Sequence, residues 1–206
     1  MANKIKHETN VSPKGSLVYP HLKTPDTEFS KGGAGSYCTG LKLSGEDHEK
    51  QVAIMQPILD ASVAADDEAN KKRKAWVRKL PFVADLDDNG DEAGTYTWSY
   101  KQNAEATING EVKKFSVSII DAATKPIDCN PWGGTIAKIR CTIVPYAFGA
   151  NKEFGLTLRP NKVQILELVE GSSASNNEGF EEEEGYIGSV SNSLEEGFEA
   201  EPDADF

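Results

Sequence analysis

The sequence is short of the features that disulfide-stabilised, metal-binding and membrane proteins need. Three cysteines, Cys38, Cys129 and Cys141, lie far apart with no C-x-x-C pair, so neither a disulfide framework nor a thiolate zinc site is indicated. No stretch approaches the ~18 apolar residues of a membrane span, and the N-terminus MANKIKHETN has no apolar signal region. We therefore expect reduced, partly buried thiols in a soluble, intracellular protein without a membrane partner.

Recognisable catalytic motifs are also missing. The sequence contains no phosphate-binding G-x-x-x-x-G-K-[ST], no G-x-S-x-G nucleophile turn and no G-x-G-x-x-G dinucleotide fingerprint. His7, His21 and His48 are isolated from one another and from the cysteines, so each is interpreted as a surface residue. The sequence predicts neither an enzyme nor a cofactor.

An acidic segment, DLDDNGDEAGTY, resembles a calcium loop over its first seven positions. Its twelfth position, where a bidentate Glu should close the site, is Tyr96, and the following residues read as a strand rather than a helix. We interpret Asp85–Asp91 as an exposed turn and predict no metal site, with a weak calcium or magnesium site as the alternative. A metal-dependent nuclease or hydrolase that uses these aspartates is a minor alternative.

Charge is distributed unevenly along the chain. Of 33 acidic residues, eleven lie between Gly171 and Phe206, where there is no Lys or Arg, so 22 acidic and 22 basic residues remain in 1–170. The last 36 residues are also rich in Gly and Ser, which predicts a disordered acidic tail after a neutral folded body. The tail nevertheless contains four aromatic rings and ends in Phe206, a pattern typical of a ligand for a basic partner with apolar pockets.

The body has the pattern of a small β-protein. Six segments have the alternation and the β-branched and aromatic content of strands: GSLVYPHL, SYCTGLKL, TYTWSYK, KKFSVSII, TIAKIRCTIVPYAF and KVQILELV. Between the second and third, Ser44 and Asp47 form a capping-box pattern before a helix that Pro57 should kink or restart. A second helix is predicted over ADDEANKKRKAWVRK, which begins acidic and ends basic around Trp76.

Several strands carry rings and cations that suit binding to an unpaired nucleic acid, because rings stack on bases and cations contact phosphates. In TIAKIRCTIVPYAF, alternation places Lys138 and Arg140 on the face that continues to Tyr146 and Phe148. The candidate stacking residues are Trp76, Trp98, Tyr100, Trp132, Tyr146 and Phe148. The candidate phosphate contacts are Lys101, Lys113, Lys114, Lys138, Arg140 and Arg159.

Each set also has a purely structural explanation. The stripe formed by Tyr96, Trp98 and Tyr100 on TYTWSYK would be equally typical of a buried core face. The cations could form the polar outside of a half-exposed sheet.

The segments YPHLKTPDTEFSKGGAGSYCTGLKLSGED and CNPWGGTIAKIRCTIVPYAFGANKEFGLTLRPNKVQILELVEG resemble a bacteriophage family of single-stranded DNA-binding proteins. The resemblance implies an OB-fold, a five-stranded Greek-key barrel, with one or two helical insertions over residues 1–170 and the tail over 171–206. It also implies coating of single-stranded DNA in replication, recombination and repair, in the cytoplasm of an infected bacterium.

The same resemblance implies a role for the tail. Acidic tails that end in an aromatic residue are similar to those with which phage and bacterial single-strand binders dock on replication proteins such as DNA polymerase and helicase-primase. The matching positions here are Asp203, Asp205 and Phe206. Asp205 stands where bacterial tails have Pro, so a phage partner is favoured.

The sequence alone leaves open the oligomeric state and the choice between two functions. The body could form a homo-oligomer. A protein-interaction adaptor whose acidic arm mimics nucleic acid is the alternative function, because a neutral body is compatible with both functions.

Overall fold

A computed structural model describes residues 7–28, 33–69, 73 and 75–170. Most of these residues form β-strands, with one long helix. In chain order the elements are β1 (Thr9–Val11), β2 (Gly15–Asp26), β3 (Ser36–Ser44), α1 (Gly45–Ala69), β4 (Val77–Lys79), β5 (Phe82–Leu86), β6 (Glu92–Asn103), β7 (Glu105–Ile108), β8 (Glu111–Lys114), β9 (Ser118–Ile120), β10 (Ile136–Phe148) and β11 (Glu153–Glu167).

Five long strands close into a barrel. Strand β2 pairs with β3, β3 with β6, β6 with β11, β11 with β10, and β10 returns to β2. All pairings are antiparallel except β6 with β11, which is parallel at Tyr100 and Leu158. This ring is the five-stranded Greek-key barrel of the OB-fold. The predicted fold class is therefore confirmed, and β1, β4, β5 and β9 extend the barrel walls.

The inner faces of the strands form the core. On β10 the side chains of Ala137, Ile139, Cys141 and Ile143 are buried, because alternate residues of a strand point to the same side. The predicted alternation along this strand is confirmed, and the strand continues through Pro145 to Phe148.

Helix α1 follows β3 directly and packs against one side of this core. The Asp47 amide donates to Ser44 Oγ at 3.3 Å, so the predicted N-terminal cap is present. Met55, Leu59 and Val63 are fully buried at helical spacing. Pro57 lies within the assigned helix, which is not restarted there.

The second predicted helix, over 65–79, is only partly confirmed and is not a separate helix in the described residues. Residues up to Ala69 belong to α1, whereas Val77–Lys79 form strand β4 in parallel with Glu153–Gly155. The Val77 amide donates to the Lys152 carbonyl at 2.9 Å, so pairing between strands replaces helical hydrogen bonding. The predicted strand KKFSVSII is also divided, into the end of β8 and β9, because β8 pairs with β7 and β9 pairs with β11.

The cysteines are free, as predicted: Cys129 and Cys141 are buried and Cys38 is half-buried. Burial raises the pKa of the Cys141 thiol to about 12. No described helix is both long and apolar enough to cross a bilayer. The predicted tail, with Asp203, Asp205 and Phe206, lies outside the described residues, so it stays a prediction.

Candidate nucleic-acid interface

The outer face of the β10–β11 pair carries a row of cations. Arg140 lies opposite Lys162, Thr142 lies opposite Arg159, and Lys138 lies opposite Gln164. Lys101 of β6 extends this row. Tyr100 of β6 pairs in parallel with Leu158 of β11, and the residues that follow them, Lys101 and Arg159, are both exposed. We call Lys101, Lys138, Arg140, Arg159 and Lys162 the basic surface.

The basic surface has no internal neutralisation. Among the described residues, none of its five side chains forms an ion pair, although other lysines and arginines do. Arg140 and Lys162 face each other directly, and like charges opposite each other in a sheet are destabilising. A surface of this kind is suited to an anionic partner that would remove the repulsion.

Aromatic side chains stand at the far end of the same face. Phe148 is 51% exposed and Tyr146 is 38% exposed. The Tyr146 ring lies over Gly155 of β11, where the absence of a side chain leaves room for it. Its hydroxyl donates to Glu153 Oε1 at 2.7 Å, and burial together with this carboxylate raises the pKa of Tyr146 to about 12. The ring is therefore held in a fixed position with part of its surface open.

Trp76 lies beside the loop that joins β10 to β11. Its ring is half-buried and tilted against Phe154 with the centroids 5.3 Å apart, and the Arg73 guanidinium carbon lies 5.0 Å from the ring centroid. The ring therefore packs on the body and has a cation above it. 

The neighbouring Lys71, Lys72 and Lys74 lie outside the described part of the chain.

Two of the predicted stacking residues are wrong. Trp98 is 0% exposed and Tyr100 is 1% exposed, so neither ring can reach a base. Strand β6 turns this stripe toward the core, where the Trp98 indole Nε1 donates to His48 Nδ1 at 3.2 Å. His48 in turn stacks on Tyr96 with 3.7 Å between ring centroids. The core interpretation of the stripe is therefore the correct one for Trp98 and Tyr100.

The structure does not place Lys113 and Lys114 on the basic surface. Both are exposed on β8, which pairs only with β7 among the described strands. Lys114 Nζ lies 3.5 Å from Glu105 Oε1 across that hairpin. Their part in DNA binding stays a prediction.

A separate groove of about 740 Å³ opens beside β2. Trp132, a predicted stacking residue, lines it and is 55% exposed. Tyr19 lines the same groove and is 84% exposed, and sequence reasoning missed it. Lys42 of β3 also contributes to the lining.

The predicted turn is confirmed over Asp87–Asp91, between β5 and β6, whereas Asp85 is a half-buried residue of β5. The Asn89 and Asp91 amides donate to Asp87 Oδ1 at 2.8 and 3.0 Å. Asp85 accepts from the Thr95 and Thr97 hydroxyls, both at 2.7 Å. Burial raises the pKa of Asp85, but these hydrogen bonds and Lys42 outweigh it and bring the pKa below its usual value. In the described part of the chain no three His, Cys, Asp or Glu side chains are grouped as metal ligands.

Comparison with known proteins adds sequence and structural relatives. No protein-family model matches the chain. The single-stranded DNA-binding protein of Enterobacteria phage T3 is 25% identical over 190 residues, covering 84% of this chain and 82% of the relative. That of Escherichia phage T7 is 25% identical over 193 residues, with the same coverage.

The solved structures agree with the sequence relatives. The crystal structure of gp2.5, a single-stranded DNA-binding protein encoded by bacteriophage T7, matches with a TM-score of 0.63 and 21% identity, covering 89% of this chain and 100% of that one. The chain resembles bacteriophage single-stranded DNA-binding proteins in sequence and in fold. The single-stranded DNA-binding protein of bacteriophage Enc34 in complex with ssDNA also matches, with a TM-score of 0.52 and 16% identity over 79% of this chain and 88% of that one.

Proposed function

We propose that this chain is a sequence-independent single-stranded DNA-binding protein of a bacteriophage, which coats and protects unpaired strands during replication and recombination. The proposal is supported by the similarity of the chain to the single-stranded DNA-binding proteins of phages T3, T7 and Enc34. It assigns the chain a binding role in the cytoplasm of the infected bacterium, without catalysis.

The observation that carries the proposal is the basic surface with Tyr146 and Phe148 at its end. Five cations that form no ion pair with a described residue provide phosphate contacts along three adjacent strands. The two rings provide partly open π-faces on which bases can stack. Neither contact depends on base identity, so the arrangement favours binding without sequence preference.

The direct test is titration of the full chain with labelled oligo-dT and with duplex DNA of equal length. We expect oligo-dT to bind more tightly, because stacking on Tyr146 and Phe148 requires unpaired bases. Arg140→Ala should weaken binding to oligo-dT. The matched control is Lys50→Ala, which also removes one positive charge but lies on α1 in ion pairs with Glu46 and Asp47.

Two results would contradict the proposal. A chain that ignored oligo-dT at low salt would instead favour the adaptor function. Equal losses for Arg140→Ala and Lys50→Ala would show that only net charge matters and would remove the basic surface from the binding site.

The acidic tail is proposed to recruit replication proteins and to compete with DNA. Glu170, the last described residue, forms a bridge with Pro131, so the chain leaves the described body next to the Trp132 loop. A polyanion tethered there would have a high effective concentration near the cationic and aromatic surfaces. DNA would displace it and free Asp203, Asp205 and Phe206 for phage polymerase or helicase-primase.

Deletion of 171–206 tests the tail. We expect tighter binding to oligo-dT, most clearly at low salt, where charge competition is least screened. A tail of equal length with Ser in place of every Asp and Glu is the control for tether length and should behave like the deletion. If the deletion bound no more tightly than the full chain, the competition hypothesis would be wrong.

A further inference from the structure

We propose that the groove between Tyr19 and Trp132 is a second base-binding subsite, which holds an unpaired nucleobase against these rings with its phosphate near Lys42. The inference rests on the proposed function and deepens it. It adds a point of contact on β2 and the loop before β10, whereas Tyr146 and Phe148 lie at the other end of β10.

The size and lining of the groove suit a nucleotide. Its volume of about 740 Å³ lies within the range of small-molecule sites, roughly 300–1,000 Å³. The two large side chains that line it, Tyr19 and Trp132, are 84% and 55% exposed. Open rings in one concave site offer stacking surfaces to a flat ligand.

Tyr19 has a backbone conformation that folding alone does not explain. Its φ is +45°, in the left-handed region that residues other than Gly, Asn and Asp avoid. It lies in an irregular part of β2, where the register with β3 shifts between Val18 and His21. The bulge directs the ring into solvent, so burial of the ring does not offset the unfavourable conformation. Strained residues of this kind cluster at ligand sites.

Trp132 is held in place by its backbone rather than by burial of its ring. Its amide donates to the Val169 carbonyl at 2.9 Å, and its carbonyl accepts from the Thr135 amide at 3.2 Å. The following turn is fixed to β2, because the Gly134 amide donates to the Leu17 carbonyl at 2.9 Å. The loop therefore presents an exposed ring from a pre-formed position, which reduces the ordering cost of binding.

The described side chains that line the groove favour an anion. Its lining includes Lys42 and no Asp or Glu, although acidic and basic residues are equally numerous over 1–170, with 22 of each. Lys42 Nζ lies 3.6 Å from Asp85, whose oxygens already accept from two threonine hydroxyls, and the Lys42 side chain is 45% exposed. Aromatic grooves can also bind proline-rich peptides, but a lining with only cationic charge favours a base with its phosphate.

The test uses fluorescence of the full chain with Trp76→Phe. Trp98 is buried, so the exposed Trp132 is then the tryptophan that oligo-dT can reach. We expect oligo-dT to quench the emission, and Trp132→Phe in the same background to abolish the quenching. Tyr146→Ala is the matched control from the other aromatic site. It should weaken binding but leave the quenching at saturation.

A second variant separates the Tyr19 ring from its backbone. Tyr19→Gly removes the ring and suits a positive φ, so we expect an unchanged or higher unfolding midpoint. Binding to oligo-dT should nevertheless weaken roughly tenfold, because one stacking contact is lost.

The outcomes separate this inference from the proposed function. Tight binding of oligo-dT without quenching of Trp132, or with Tyr19→Gly equal to the unchanged chain, would overturn the groove and leave the function standing. Quenching by a proline-rich peptide but not by oligo-dT would also overturn the groove. A failure of the unchanged chain to bind oligo-dT would overturn the function and the groove with it.

Discussion

Replacement of Gly155 by alanine should reveal how strongly the open ring of Tyr146 depends on the strand beneath it. A Cβ at 155 would overlap Cζ and Oη of Tyr146 and would lie 2.8 Å from its Cε1, so the ring must move. Moving the ring would break the hydrogen bond from its hydroxyl to Glu153. The variant changes no charge and touches no cation of the basic surface.

The expected magnitudes follow from opposing contributions. Alanine in a strand is favoured over glycine by about 0.5–1 kcal/mol. Loss of the Tyr146 hydrogen bond costs about 1 kcal/mol, and the displaced ring loses its packing on β11 as well. We therefore expect Gly155→Ala to lower the free energy of unfolding by up to about 1 kcal/mol. In a Tyr146→Ala background the same change should instead stabilise the chain, because the ring is absent.

Urea unfolding of the four chains measures this coupling, and oligo-dT titration measures its effect on binding. Gly155→Ala should weaken binding by roughly 5- to 10-fold, because a misplaced ring loses part of the ~1–3 kcal/mol of a base stack. The double variant should bind no more weakly than Tyr146→Ala alone. Additive effects on both unfolding and binding would refute the idea that Gly155 acts through Tyr146.

Three further predictions concern charge, pH and a buried hydroxyl. Arg140→Ala should reduce the slope of log affinity for oligo-dT against log salt by about 1, whereas Lys50→Ala, whose lysine pairs with Glu46 and Asp47, should change it less; equal slopes would contradict the assigned phosphate contact. Burial lowers the pKa of His48 below 6.5, although Glu49 partly opposes the shift, so the folded chain favours the neutral imidazole. The unfolding free energy should therefore fall as the pH drops below 6.5, because the unfolded chain then binds more protons than the folded one. His48→Gln should flatten that pH dependence in urea titrations. Thr135→Val should lower the free energy of unfolding by about 1–3 kcal/mol, because the buried Thr135 hydroxyl bonds to the backbone at 3.1 and 3.0 Å; no loss in thermal or urea unfolding would be the contrary result.

The barrel and its cationic strand could be predicted because their signal is local. Alternation along β10 placed Ile139 and Cys141 inside and Lys138 and Arg140 outside, and the structure agrees. The cap at Ser44 is equally local, since it depends on a pattern only three residues long.

Other features depend on contacts that periodicity does not specify. Alternation groups Trp98 with Tyr100 but does not say which side of β6 faces the core, and the packing of His48 against Trp98 decides that. The exposure of Tyr19 results from a bulge, which has no period. By contrast, Asn109–Gly110, with φ of +55° and +84°, was a readable hairpin signal between β7 and β8.

Strand pairing around the barrel is uneven. Strands β10 and β11 are paired through thirteen registered partners, whereas β6 and β11 meet in register only at Tyr100 and Leu158. This weakly joined junction should open more often than the β10–β11 pair, so amide hydrogens there should exchange with deuterium sooner than those shared by β10 and β11. Lys101 and Arg159 lie on either side of this junction, so a single DNA strand that contacts both residues would hold β6 and β11 together. Binding of DNA should therefore slow amide exchange at the junction.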